Sequence, residues 1–408
     1  MTKDFLHFFE ANEFLRYLAD LIVAEIARMR PSRASPTLEL RADFSIDLNE
    51  LGLDSLERLQ LAISVAHALQ LQHSRRPDQL QRLSTFDDWV SECRQLLRGG
   101  GSAIGFRSSG SDSAPRLLVH EVTALAQEIE FLAERFAGAG RIVSFTPAHH
   151  IYGFLFTVLL PLRLEVPTLD ARAHSVASLQ SLLCEGDLLI AFPTLWEAAA
   201  QAPPRWPGRV VGVTSGAPCD PHASAALRAS GLASLVEVYG STETGGVAWR
   251  EDAAAYRLFP YWSKRDEDSV VKWVGGDEGL FTLPDFVDWR DARSFMPLRR
   301  RDGAVQVAGL NVYPNLVRSC LMAHEEVADA RVRLMEPHEG VRLKAYVVPK
   351  RHDADLASLR AKLERWVEER LSAPERPRAF DFGAALPVAA SGKPADWPIR
   401  AQGRAFAS

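Results

Sequence analysis

Apolar residues recur every three or four positions through Phe14, Leu15, Leu18, Leu21 and Ile22, and again through Leu56, Leu59, Leu61, Ile63 and Val65. That spacing lays an apolar stripe along a helix. A third helix is expected over Phe86 to Leu97, after Ser84 and Thr85, whose hydroxyls suit an N-cap. The Pro/Ser loop from Arg30 to Pro36 divides the first helix from the rest, and Arg98-Gly99-Gly100-Gly101-Ser102 is a linker by composition. Beyond it the period changes. Short apolar runs at Ile142–Phe145, Leu188–Phe192, Val210–Val213 and Leu235–Tyr239 alternate with helical stretches such as Glu121–Phe136. That order predicts an α/β layered domain. After Arg301, strands are expected at Ala304–Val307, Ala330–Leu334 and Lys344–Val348, with helices at Asn315–His324 and Asp355–Leu371, which makes a small α+β domain.

Composition narrows the reading. A length of 408 residues suggests two or three domains. The net charge of -5 gives no reason to expect nucleic acid as a partner. Cys93, Cys184, Cys219 and Cys320 lie far apart, as reduced cytoplasmic thiols do, rather than in the paired spacing of a zinc site. The apolar stretch Phe14–Ala27 is interrupted by Arg16, Asp20 and Glu25 and is too short to span a bilayer, so no membrane partner is expected.

Two sets of motifs carry chemistry. In the first, Leu51-Gly52-Leu53-Asp54-Ser55-Leu56 precedes a helix, and on local chemistry Asp54 or Ser55 simply caps it. Over its whole length, however, the segment resembles acyl carrier proteins. The resemblance implies a four-helix all-α domain over residues 1–98, with 4'-phosphopantetheine on Ser55 and a phosphopantetheinyl transferase as a partner. A phosphodiester at a helix N-terminus would face unpaired N–H groups.

The second set runs in order along the rest of the chain. A Ser/Gly loop, Ser108-Ser109-Gly110-Ser111-Asp112-Ser113, leads to Arg116. Ser215-Gly216-Ala217-Pro218 and Tyr239-Gly240-Ser241-Thr242-Glu243-Thr244-Gly245-Gly246 each follow a strand. Arg300-Arg301-Asp302-Gly303 opens the small domain, and Ser391-Gly392-Lys393 nearly ends the chain. Together these resemble the adenylate-forming superfamily of acid ligases, with an α/β core at 103–301, truncated at its front, and a mobile lid at 302–408.

The resemblance implies that Ser108, Ser109, Gly110, Ser111 and Arg116 hold ATP phosphates and that Ser215, Gly216, Ala217 and Pro218 lie along the adenine. Tyr239 would approach the base, Asp285 the ribose and Arg300 the ribose or phosphate. Thr242 would touch the α-phosphate, Glu243 would bind Mg²⁺, and Lys393 would be the catalytic cation. Asp302 would be the hinge, and His150, Gly240 and Gly245 would line the acid pocket, with His149 beside them.

The sequence departs from that pattern at several points. Asp112, Ser113 and Arg116 stand where the superfamily prefers Thr, Gly and Lys. Arg299 precedes Arg300 in place of Gly, and Gln306 takes the place of a second Lys. The subdomain that normally precedes the phosphate loop is missing. The expected function is activation of a small carboxylic acid (aryl, hydroxyaryl, fatty or polyketide type) with ATP and Mg²⁺. The acyl group would pass to a carrier-protein phosphopantetheine, the chain's own or that of a downstream polyketide- or fatty-acid-type synthase. A homodimer is compatible with this scheme. The rival readings are an acyl-CoA synthetase using free CoA and a catalytically degenerate scaffold.

Overall fold

Residues 12–30, 51–71, 79–98, 103–108, 116–252, 254–307, 310–336, 338–351, 353–388 and 395–399 are described by the computed structural model. The apolar runs become parallel strands. Asp187–Ala191 is buried at every position, as a strand covered on both faces must be. It lies in a nine-stranded sheet whose spatial order is 168–170, 141–144, 187–191, 211–215, 234–241, 245–251, 256–258, 294–300 and 285–289. The first five strands are mutually parallel, and the sheet then continues antiparallel.

From strand Arg141–Ser144 the chain passes first to 168–170 on one side and then to 187–191 on the other. Open α/β sheets bind ligands at the carboxyl ends of strands where the order reverses in this way. The segment leaving that strand end is Pro147-Ala148-His149-His150. A separate three-stranded antiparallel sheet is built from Trp262–Lys264, Ser269–Val274 and Asp277–Thr282.

The expectation of a separate all-α domain over residues 1–98 is corrected here. Helices α1 (Asn12–Met29), α2 (Ser55–Ala68) and α3 (Phe86–Arg98) share one continuous apolar core with the α/β layers. Tyr17 packs edge-on against Phe154 at 5.2 Å, and Phe154 lies equally close to Phe106. Polar contacts run through the same interface. Glu25, 2% exposed, pairs with Arg107 on the strand that follows the linker.

Arg16 meets a specific need. The buried helix from Ile151 to Leu164 is widened by a π-type turn at Leu155–Leu159, and Pro161 has no N–H to give the carbonyl of Thr157 four residues back. Arg16 donates to that carbonyl and, at 2.9 Å, to the Thr157 hydroxyl. A mobile carrier needs a surface of its own, and these helices have given theirs to the core. Ser55 is an exposed first-turn residue of α2, which Asp54 caps by accepting from the N–H groups of Leu56 and Glu57 at 2.9 and 2.8 Å.

The described residues through Arg299 form one compact unit and those from Arg300 onward a second. The second unit has its own core under a sheet of Val327–Leu334, Leu343–Pro349 and Ala379–Phe382, with helices Pro314–Met322 and Leu356–Arg370.

Candidate active site

The strands on either side of the Ser/Gly segment form a β-hairpin. Ala103–Arg107 pairs antiparallel with Leu117–Glu121, and the neck closes where Ser108 N–H donates to the Arg116 carbonyl at 2.8 Å. Ser109, Gly110 and Ser111 lie outside the described residues, as does Lys393.

The carboxyl ends of two neighbouring parallel strands carry the next two motifs. The Ser215 hydroxyl donates to the Val238 carbonyl at 2.8 Å, and Gly216 takes φ +88°, a left-handed conformation that glycine adopts without strain. Glu237, 2% exposed, ties the two strand ends together. Its Oε2 accepts from the Cys219 N–H at 3.1 Å, from Arg250 at 2.9 Å and from the Tyr256 hydroxyl at 3.1 Å. The segment Ser215–Pro218 is thereby held at both ends. Ala217 is half-buried, and Gly216 and Pro218 are exposed.

Tyr239 is buried, its ring edge-on to Phe295 at 5.1 Å, and its hydroxyl donates to Asp285 Oδ2 at 2.6 Å. The expected base contact and the expected ribose contact are therefore joined, with Tyr239 orienting the carboxylate.

Between strands Ser234–Ser241 and Gly245–Glu251 runs the Thr242–Glu243–Thr244 turn. The Thr244 hydroxyl accepts from Ser241 N–H at 3.1 Å and donates to the Gly245 carbonyl at 2.8 Å. Gly245 has φ +69°, and a Cβ on Gly240 would stand 2.1 Å from the Gly245 carbonyl oxygen, so neither glycine tolerates a side chain. Glu243 is exposed and has no hydrogen-bond or ion-pair partner among the described residues. A free carboxylate suits one ligand position of Mg²⁺, provided a bound nucleotide's phosphates supply others. Among the described residues no three His, Cys, Asp or Glu side chains converge to hold a metal without such help.

Three residues that the motifs did not point to hold this turn from beneath. His120 lies on strand Leu117–Glu121, and its Nε2 meets the Thr242 carbonyl at 2.7 Å. Burial lowers its basicity and nearby Lys272 adds to this, so the neutral ring must carry its proton on Nε2 to donate there. Lys272, 5% exposed, donates to the Thr244 carbonyl at 3.2 Å, and burial lowers its pKa. Glu128, on helix α4 (Val122–Arg135), accepts from Gly246 N–H at 2.9 Å. A lysine between Val271 and Trp273 in an apolar strand was the one sequence signal available.

His149 and His150 sit at the strand-order reversal. Their rings lie 4.1 Å apart, and His150 is exposed at the start of the buried helix, yet surrounding protein lowers the basicity of both. The loop is pinned from α1, where Asp20 accepts from Ala148 N–H at 2.6 Å and pairs with Arg172 at 2.8 Å. The Tyr152 hydroxyl reaches the carbonyls of Ala191 and Val213 at 3.1 and 3.0 Å, fixing the loop to the ends of two more strands.

In the second unit, Arg300 and Asp302 form a bidentate pair at 2.9 and 2.6 Å. Asp302 also accepts from Ala304 N–H at 3.0 Å and the Tyr313 hydroxyl at 3.3 Å. Burial raises the Asp302 pKa, but these donors outweigh it and hold the carboxyl below its usual range. The guanidinium expected at the nucleotide is thus engaged by the expected hinge. A cavity of about 280 Å³ opens at the other end of the parallel strands, beside Arg209 and the Arg135–Glu251 ion pair, and none of the motif residues line it.

The two motif turns on adjacent strand ends fit an acid-activating class, and the chain belongs to the AMP-binding enzyme family. That family's profile matches residues 103–270, and the profile of the AMP-binding enzyme C-terminal domain matches 317–393. Within the family, the chain is 35% identical to a 4-coumarate–CoA ligase of Halorhodospira halophila over 391 residues, covering 94% of this chain and 98% of that protein. A 4-coumarate–CoA ligase of Rhodobacter capsulatus is 36% identical over 394 residues, 94% of this chain and 99% of that one. Among solved structures, a double mutant of o-succinylbenzoate CoA synthetase from Bacillus subtilis shares the fold, with a TM-score of 0.59 at 14% identity over 93% of this chain and 91% of that one. The match includes the N-terminal helices and gives no evidence of an added carrier domain.

Proposed function

We propose that this chain is an AMP-forming acid:CoA ligase acting on a hydroxylated aryl acid of the 4-coumarate type, with free CoA as the acyl acceptor. The observation that carries the reading is end-to-end similarity to two 4-coumarate–CoA ligases, in a chain whose N-terminal helices belong to the enzyme's own core. A carrier-bound acceptor has no comparable support.

In the first step a carboxylate oxygen of the acid bonds to the α-phosphorus of ATP, and the bond to the bridging oxygen breaks as pyrophosphate leaves. Negative charge grows on the α-phosphate, where Thr242 donates from the turn that His120 and Lys272 hold in place. Mg²⁺ bound at Glu243 would offset charge on the phosphates. Asp285, oriented by Tyr239, takes the ribose hydroxyls, and the held Ser215–Pro218 segment lies along the adenine. Lys393 supplies a cation to the same phosphate. In the second step the CoA thiol loses its proton and attacks the acyl carbon, and AMP leaves. The second unit turns about Asp302 between the two steps.

The reading is tested by following pyrophosphate release and thioester formation with 4-coumarate, ATP and Mg²⁺, using CoA and a holo-carrier protein as competing acceptors. Rapid thioester formation with CoA is expected. Pyrophosphate release with no CoA thioester, or loading of the carrier alone, would overturn it. Lys393→Ala should slow adenylate formation about 100-fold, the usual worth of one preorganised charge contact.

A further inference from the structure

Two buried polar atoms beside the Thr242–Gly246 turn have no hydrogen-bond partner among the described residues: Glu128 Oε2 and the Tyr261 hydroxyl. Glu128 is 1% exposed, and its other oxygen is taken by the Gly246 N–H. A Cβ placed on Gly245 would stand 2.6 Å from Glu128 Oε2 and 3.8 Å from Ile151 Cδ1. The unpaired oxygen therefore borders the junction of Gly245 with Ile151, the residue that follows His150. Glu128 acts electrostatically on Tyr261, yet no hydrogen bond joins them. Lys272, whose ammonium lies 5.7 Å from the Tyr261 ring centre, is the nearby cation.

Leaving a buried donor and a buried acceptor unmet costs about 1–3 kcal/mol each. Both are satisfied by a group that donates and accepts at one atom. A carboxylate has no hydrogen to give Glu128 once it is ionised, and an apolar group would leave both sites empty. A hydroxyl gives its hydrogen to ionised Glu128 Oε2 and receives one from Tyr261, and below about pH 7, where Glu128 holds its proton, it accepts from Oε2 and gives its hydrogen to the Tyr261 oxygen. We propose that Glu128 and Tyr261 form the hydroxyl-reading end of the acid pocket, selecting a ring hydroxyl remote from the reacting carboxylate. The assignment rests on the aryl-acid reading above and deepens it by naming the residues that impose the preference.

The test measures KM and kcat for adenylate formation with 4-coumarate and with cinnamate, which lacks the hydroxyl, in wild type, Tyr261→Phe and Glu128→Gln. A site built to pair a hydroxyl discriminates strongly against its absence, so wild type should favour 4-coumarate in kcat/KM. Tyr261→Phe should cut that preference by about tenfold or more, one lost hydrogen bond in a buried site. The loss should appear as weaker apparent binding of the hydroxylated acid (a raised KM), with cinnamate unaffected. Glu128→Gln should also lower the preference, with a smaller loss for cinnamate because Glu128 also accepts from Gly246 N–H; if it does not fold, Tyr261→Phe, which keeps the ring, decides alone. Equal losses for both acids would assign these residues a structural role and overturn the inference. A wild type that uses both acids without preference would overturn it while leaving the aryl-acid ligase intact. A wild type that activates neither acid would overturn both readings.

Discussion

Glu128 shows what a single residue can carry that no motif announces. Burial pushes its carboxyl up to about 7 from 4.5, with Lys272 and the Gly246 N–H pulling the other way. Between those values the unfolded chain has released the proton while the folded chain retains it. The folded state thus binds more protons there, and stability falls as pH rises from about 4.5 to about 7. A shift of that size corresponds to roughly 3 kcal/mol at the upper end. Glu128→Gln should flatten this part of the profile and become the more stable form above pH 7, read from denaturant midpoints between pH 5 and 8. Parallel slopes in the two proteins would place the proton elsewhere. The sequence was informative where residue type and order both mattered, as at Ser215–Pro218 and Tyr239–Gly246. It was silent on His120, Glu128 and Lys272, because a polar side chain in an apolar stretch does not say which carbonyl it will meet.

At the scale of elements, helix α1 works as a brace. Its Arg16 fills the hydrogen-bond gap that Pro161 leaves, and one turn on, its Asp20 holds the loop bearing His149 and His150. Asp20→Ala removes the acceptor for Ala148 N–H and leaves Arg172 with Asp170 as its remaining carboxylate partner. Arg172 is exposed, so the main loss is the buried acceptor for Ala148 N–H, which costs about 1–3 kcal/mol. A clear fall in melting temperature is expected, and the KM for the acid should rise more than the KM for ATP because the His149–His150 loop loses its anchor. A variant with both KM values unchanged would detach α1 from the pocket. Four of the five parallel strands were legible as largely apolar runs; Thr168–Asp170, with one apolar residue in three, was not. The antiparallel strands between Gly245 and Arg300 were not, since they are short and carry charged residues on the solvent side, as in the alternation of Asp277–Thr282.

For the molecule as a whole, the N-terminal segment is where the sequence pattern misleads. A glycine, a capping aspartate and an amphipathic helix mark where α2 begins, but a carrier helix and a bracing helix begin alike. The stripe shows that a face is apolar without showing what covers it. Two results should follow from the shared core. Ser55→Ala should leave CoA-dependent turnover unchanged, and intact-protein mass should show no phosphopantetheine after incubation with a transferase and CoA. Removing residues 1–98 should give insoluble protein, because Phe106 and Phe154 would lose the side chains that bury them; a soluble, active remainder would restore a separate domain. The same sharing constrains synthesis on the ribosome. Arg16 and the carbonyl it serves lie 141 positions apart, so at about 5–20 residues per second α1 waits roughly 7–28 seconds for its partner to be made. Until then only α2 and α3 can cover its apolar stripe, and translation speed through the intervening strands decides how long that partial cover must serve.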